Sequence, residues 1–349
     1  MGVTKLAYAM KRLRLEFAEP GKIQVIEEPV PKPAAAQALV QVDYSAISPG
    51  TEMLVYRGQW PKEISRDSTI AALSGDFSYP LSYGYACVGR VAAVGDELSD
   101  EWLGRRVFGF QPHQSHFCAE IDALHPIPDD IDDHTALFLA SMETGVNLLL
   151  DGRPLIGEQA VVFGQGIIGL LTAALLARFP LARLITVDNS AQRRLASTQC
   201  GATESYAPHD DDLMRTLRAV DGQGGEADLI FELSGNPEAL STALTLTRFS
   251  GRVVIGSWYG SKPVALNLGS FYHRGRVQLV SSQVSSLHPE LTGRWHKPRR
   301  LKLAWDMLRL IQPAGLISQI FPAAEASQAY ELIAQSPEQT IQVILDYQS

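Results

Sequence analysis

Cysteine is scarce in this chain. Only Cys87, Cys118 and Cys200 occur among 349 residues, and none lies in a CxxC pair. That argues against a disulfide framework and a four-cysteine structural zinc site, and it fits a reducing compartment. Positive charge is also short: 30 Lys and Arg against 38 Asp and Glu leave a net charge of −8. A nucleic-acid binder needs the opposite balance to neutralise phosphates. No run approaches the roughly 18 apolar residues of a membrane-spanning helix. The start, MGVTKLAYAMKRLRLEF, is broken by charges and has no signal-peptide core. The expected home is therefore the cytoplasm, with no membrane and no nucleic acid as partner. Internal repeats and low-complexity linkers are missing as well.

What is present is enough apolar material, 46% of the chain, for two domains. Up to about residue 130 the text reads as β-rich. KIQVIEEPVP, QALVQVDYSAI, CVGRVAAVG and RRVFGF are short apolar or alternating runs separated by Pro, Gly and Asp. DDIDDHTALFLASMETGVNLLL predicts a helix with Asp133 as N-cap. From about residue 155 strands and helices alternate. QAVVFG, RLITVD, ADLIFELSG, GRVVIGS and GRVQLVSSQ read as strands; GIIGLLTAALLARF, SAQRRLASTQCG and NPEALSTALTLTRF read as helices. This spacing predicts a doubly wound parallel sheet. The expected class is α/β, with a β-rich domain over 1–133, a dinucleotide-binding domain over 134–284, and a return to the first domain over 285–349.

VVFGQGIIG is G-x-G-x-x-G directly after a strand and opening a helix. Gly164 permits the tight turn, Gly166 lets the backbone approach a pyrophosphate, and Gly169 lets helix and strand pack closely. The helix start, with Gln165, Ile167 and Ile168, offers unpaired N–H groups to phosphate. Asp188 ends the next strand about 20 residues on, where a carboxylate can hold a ribose diol and repel a 2′-phosphate. NAD is the expected cofactor. Arg193 and Arg194 could soften that preference, leaving NADP open, or could simply form a solvated helix face. Asn189, Ser234, Gly235, Gly256, Ser257, Ser282 and Gln283 fall at strand ends on the carboxyl edge, where such a cofactor lies.

The order of parts resembles the medium-chain dehydrogenase/reductase superfamily of zinc alcohol dehydrogenase type. The segments that carry the likeness are YSAISPGTE, YPLSYGYACVGRVAAVG, METGVNLLL, VVFGQGIIG and GRVVIGS. The resemblance implies a GroES-like β-rich domain, a Rossmann domain and a C-terminal return. In that superfamily the catalytic zinc takes a Cys, a Gly-His-Glu histidine and a third Cys, Asp or Glu. Here those positions read Ser48, Gly84-Tyr85-Ala86 and, near the third, Ala140. Neutral Ser and Tyr are poor zinc ligands and Ala has no donor, so the expectation is a zinc-free member. SAISPGTEMLVYRGQWP and YPLSYGYACVGRV look most like the zinc-free branch that contains bacteriochlorophyllide a dehydrogenase. The likeness also implies a contact of Thr144 and Gly145 with the nicotinamide, and a homodimer paired through GRVQLVSSQ.

Without a Lewis acid, a hydroxyl or a cation must steady the reacting oxygen. Tyr85 and Ser48 stand at the ligand positions and are the first candidates, with Thr51 as a further hydroxyl. Tyr85 could equally be a core-filling ring. Glu143, on an apolar helix, needs either a partner or a cleft. Glu52 could act as a base or form an intradomain salt bridge. His113 and His116 are three apart, but no third ligand is near, so no metal is expected. Arg294, His296, Lys297, Arg299 and Arg300 could meet an acidic substrate group, and read first as a solvated surface. The reading is a zinc-independent oxidoreductase moving hydride between NAD(H) and a secondary alcohol or ketone. An NADPH-dependent enoyl or quinone reductase and a non-catalytic nucleotide-binding scaffold or sensor remain open.

Overall fold

The computed structural model describes residues 11–61, 70–73, 75–218 and 224–349. The stretch Met1–Met10 of the N-terminal reading lies outside the described residues. The chain divides into two compact units: Met1–Ala140 with Gln312–Ser349, and Ser141–Ile311.

In the first unit, Lys11–Glu19 and Lys22–Pro29 form an antiparallel pair that turns at Gly21. The larger sheet runs Ile317–Pro322, Gln342–Asp346, Gln37–Ala46, Cys87–Val94, Arg106–Gly109, Leu124–Pro126, with His116–Glu120 also paired to Gln37–Ala46. One face buries Val40, Val42, Val91, Val107 and Phe117. A second core gathers Leu15, Phe17, Ile47, Tyr83 and Leu345 with the helix Ala326–Gln335, which contributes Ala329, Tyr330 and Ile333. That helix is amphipathic, so its apolar stripe docks while its polar side stays wet.

The second unit is a six-stranded parallel sheet in the order Glu204–Tyr206, Arg183–Val187, Gln159–Phe163, Ala227–Glu232, Thr247–Ile255, Gln278–Ser281. Its central strands, Gln159–Phe163 and Ala227–Glu232, are mostly apolar and buried because both faces are covered. Val161, Ile185, Ile230 and Val253 point into one core, and Val162, Leu184, Leu229 and Val254 into the other. The strand order reverses between Gln159–Phe163 and Ala227–Glu232. At such a switch point the loops at the carboxyl ends diverge and leave room for a ligand.

The α/β class and the doubly wound sheet are as expected from sequence. Details differ. The helix expected after Asp133 and up to residue 150 is two helices, Asp133–Ala136 and Leu139–Gly152, and the N-cap is Asp132, whose carboxylate accepts from Thr135 N–H at 2.8 Å. The helix read through Phe249 stops at Leu246, and Thr247–Ile255 is one strand. Thr and Phe favour a pleated surface, which explains the earlier switch. The unit boundaries fall at 140/141 and 311/312 rather than 133/134 and 284/285. The helix Lys297–Ile311 goes with the parallel sheet because Arg300 is buried against the helix Leu139–Gly152. Among the described residues no helix is long and apolar enough to cross a membrane.

Candidate active site

The glycine turn links Gln159–Phe163 to the helix Ile167–Leu176. Gly164 has φ +86°, and a Cβ there would lie 2.6 Å from the Ser234 backbone. Gly169 crosses its own turn so closely that a Cβ would sit 1.8 Å from the Gly164 carbonyl oxygen. Around Gly166, by contrast, a Cβ would meet nothing within 4 Å. Gly166 is the N-cap and no side chain caps the helix, so the first-turn N–H groups keep donor capacity for an anion. Gln165 is fully buried and donates to the Val162 and Gly164 carbonyls at 3.0 and 3.1 Å. Its Oε1 is buried with no hydrogen-bond partner. Ile167 is buried and Ile168 packs against the apolar core on one face of the sheet, so what they offer a ligand is backbone N–H.

Asp188 is half-buried. Its carboxylate accepts from Gln165 N–H at 2.6 Å and Ser190 N–H at 2.8 Å. A carboxylate has about four lone-pair directions, so two remain for a diol. Arg194 donates to the carbonyls of Asp188 and Asn189 at 2.8 and 2.9 Å. Arg193 lies in the first turn of the helix Ala191–Gln199, its N–H held by the Ser190 cap at 3.4 Å. An open cradle, uncapped donors and a carboxylate at the following strand end together fit a dinucleotide.

The neighbouring strand tip holds a group that pattern reading missed. Glu232 is fully buried. Its Oε1 accepts from Ser234 N–H at 2.8 Å and from the Ser234 hydroxyl, and its Oε2 from the Tyr259 hydroxyl. Burial, reinforced by that carboxylate, pushes the Tyr259 phenol far up. Ser257 accepts from Gly235 N–H at 2.8 Å. Ser234, Gly235 and Ser257 thus form one rigid tip. Two other candidates are occupied inside the unit. Gly256 is a packing glycine, where a Cβ would meet Leu233 and Leu148 at 2.6 and 2.7 Å. The Ser282 hydroxyl turns inward to Asp151 at 2.6 Å. Gly145 gives close helix contact, a Cβ there lying 3.2 Å from Leu175; Thr144 beside it is half-buried.

Glu143 has found its partner rather than a cleft. Arg300 donates to its Oε1 through Nε and Nη2 at 3.0 and 2.9 Å, and both side chains are buried. Burial pushes the Glu143 carboxyl up and the guanidinium opposes that shift. The basic run is therefore not all solvated surface: Arg294, His296, Lys297 and Arg299 are exposed, and Arg300 is 1% exposed.

In the first unit, Ser48 and Tyr85 meet. The Tyr85 hydroxyl donates to Ser48 Oγ at 2.5 Å, and both side chains are half-buried. Thr51 is the N-cap residue of the short helix Glu52–Tyr56 and makes no side-chain cap bond. Beneath this pair lies a buried polar chain centred on Glu52. Its Oε1 accepts from Ser48 N–H at 2.8 Å, and its Oε2 accepts from His113 Nε2 at 2.9 Å and from the Tyr330 hydroxyl. His113 Nδ1 lies 2.7 Å from Ser45 Oγ, which lies 3.1 Å from the Tyr347 hydroxyl. Burial, then the Glu52 charge, pushes the Tyr330 phenol well up; burial and Glu52 do the same to the Cys87 thiol. Glu52 is thus an internal anchor of the Ser48 segment, in line with its salt-bridge reading. His113 and His116 serve separate partners, since His116 Nδ1 is 3.0 Å from Ser115 Oγ. Among the described residues no three His, Cys, Asp or Glu side chains come together as a metal site.

Residues 168–297 match the zinc-binding dehydrogenase family. D-guloside 3-dehydrogenase of Escherichia coli K12 is 25% identical over 330 residues, covering 88% of this chain and 92% of that one. L-threonine 3-dehydrogenase of Bacillus subtilis 168 is 24% identical over 344 residues, covering 88% and 90%. An alcohol dehydrogenase of E. coli CFT073 crystallised with NADH superposes with a TM-score of 0.77 at 19% identity, covering 97% of this chain and all of that one. In the matched segment 168–297 and in relatives alike over most of its length, the chain is similar to the zinc-binding dehydrogenases.

Proposed function

We propose that the chain is a zinc-independent oxidoreductase that moves hydride between NAD(H) and a secondary alcohol or ketone. The observation that carries this reading is the Tyr85–Ser48 hydroxyl pair, standing where the superfamily keeps zinc ligands. Ser and Tyr hydroxyls beside an Ala at the third position do not fit zinc, so no step is routed through a metal. The nicotinamide supplies the hydride chemistry. Gly164–Gly169 hold the pyrophosphate, Asp188 the ribose, and Thr144, Ser234, Gly235 and Ser257 flank the cofactor. Tyr85 gives its hydrogen to Ser48, so the Ser48 hydrogen points elsewhere and can donate to a carbonyl oxygen as negative charge grows there. In reduction Ser48 passes its proton to the forming alkoxide and takes the Tyr85 proton, leaving a phenolate; oxidation runs the relay backwards, the Tyr85 phenolate taking the Ser48 proton as Ser48 takes the alcohol proton. Thr51 is a further hydroxyl of this segment. The relatives named as 3-dehydrogenases of a guloside and of threonine support a secondary alcohol as substrate. A carboxylate at Asp188 supports NAD over NADP.

The test is NADH formation from a panel of sugar glycosides, polyols and simple secondary alcohols, with and without 1,10-phenanthroline. Activity persists with chelator, and Tyr85→Phe lowers kcat about 100-fold with NADH affinity unchanged. Loss of activity with chelator and recovery with zinc overturns the metal-free reading; preference for NADPH overturns the cofactor assignment. We also propose a homodimer paired along Gln278–Ser281. It is an edge strand whose one sheet neighbour among the described residues is Thr247–Ile255. Sedimentation is expected to give twice the chain mass, and Val280→Pro to give a monomer. A monomeric wild type refutes it.

A further inference from the structure

Arg300, 1% exposed, is a buried charge of the parallel-sheet unit that the proposed chemistry leaves without a task. It sits in the first turn of Lys297–Ile311 and ties three elements together. Two of its nitrogens hold Glu143 Oε1. Nη1 donates to Asn147 Oδ1 at 2.6 Å, on the same helix Leu139–Gly152. Nη2 also donates to the Val284 carbonyl at 2.6 Å, in the segment that follows the last parallel strand. Asn147 extends the network to Asp151 at 2.9 Å and to Ser282 at 3.2 Å. One end of this clamp falls beside Thr144, which the family likeness places at the nicotinamide, and the other at residues 282–284, which leave the carboxyl edge of the sheet where the dinucleotide reading lays the cofactor.

A buried ion pair is a poor device for stability alone. Desolvation of two charges offsets much of their attraction, and apolar replacements of similar volume are often neutral or better. A planar guanidinium with five fixed donors is well suited to something else, which is setting the relative position of several acceptors. We propose that Arg300, through Glu143 and the Val284 carbonyl, is a positioning residue for the nicotinamide half of the cofactor. It does not touch the cofactor; it fixes the spacing between Thr144 and the segment 282–284. The inference rests on the dinucleotide reading above. The adenine half is held by a different set, Gly164–Gly169 and Asp188, with which Arg300 shares no hydrogen bond.

That separation defines the experiment. Equilibrium binding of NADH and of ADP-ribose, which lacks nicotinamide, is measured on the full-length wild type, on the double variant Arg300→Leu/Glu143→Leu, and on Arg300→Lys. The double variant removes both charges and leaves no buried ion unpaired. The lysine keeps the charge but has no fork to reach Glu143, Asn147 and Val284 together. In both, NADH affinity falls about ten-fold while ADP-ribose affinity stays within about two-fold. A merely structural role would move both ligands together, or neither, and either result overturns the proposal. A wild type that binds neither ligand refutes the dinucleotide reading itself, and this inference falls with it. A wild type that binds both, with variants that fail to separate them, refutes the inference alone.

Discussion

Gly166→Val is expected to leave the protein folded and unable to hold its dinucleotide, whereas Gly169→Ala is expected to damage the fold itself. The two glycines are three residues apart and their surroundings are opposite. A Cβ at Gly166 enters open space, and a poor N-cap residue costs about 1 kcal/mol. The added methyls then occupy the space through which a pyrophosphate approaches the helix N-terminus, and NADH affinity falls at least about ten-fold. A Cβ at Gly169 would lie 1.8 Å from a backbone oxygen. Backbone cannot swing aside as a flexible side chain does, so the helix must part from its turn at a cost of about 3 kcal/mol. Chemical denaturation and NADH titration of both variants separate the effects. An intact NADH affinity in Gly166→Val would show that the phosphate does not approach there.

Glu52→Ala is the second large effect. Glu52 is fully buried and accepts from Ser48 N–H, His113 Nε2 and the Tyr330 hydroxyl. Its removal strands three donors in an apolar core and breaks a buried pair, a change worth about 3–5 kcal/mol. Glu52→Gln retains one acceptor and is expected to lose less. Activity in Glu52→Gln should fall through kcat, because the Ser48 segment loses the anchor of its N–H while the dinucleotide turn is untouched. If Glu52→Ala unfolds at the wild-type denaturant midpoint, the polar chain contributes nothing to stability and this account is wrong.

The parallel sheet was legible in the sequence because buried parallel strands announce themselves as apolar runs between helices. The glycine turn was legible because its three glycines answer three steric demands at fixed spacing. Side-chain partnerships were less so. Glu143 reads as a charge needing a partner, but nothing in the local pattern says that Arg300, 157 positions on, supplies it. Arg300 is hidden in a run of exposed basic residues, and one buried member of such a run leaves no periodic trace. Glu232 follows ADLIF, where it reads as the polar end of a strand, and its burial depends on Tyr259 from another loop. Glu52 carried a weak signal, a carboxylate opening the apolar helix Glu52–Tyr56, whose residues are all buried. Ser48 and Tyr85 were picked from a family position; that they touch is a fact of tertiary structure, since 37 residues separate them.

The discontinuity of the first unit carries a consequence for biosynthesis. The parallel-sheet unit is one unbroken stretch, Ser141–Ile311. It can close while the ribosome is still translating. The β-rich unit cannot, because Tyr330 and Tyr347, which complete the polar chain under Ser48, are encoded in the final segment. On the proposed reading, a chain cut after residue 311 keeps the glycine turn and Asp188 but lacks Tyr330 and Tyr347, which complete the polar chain under Ser48.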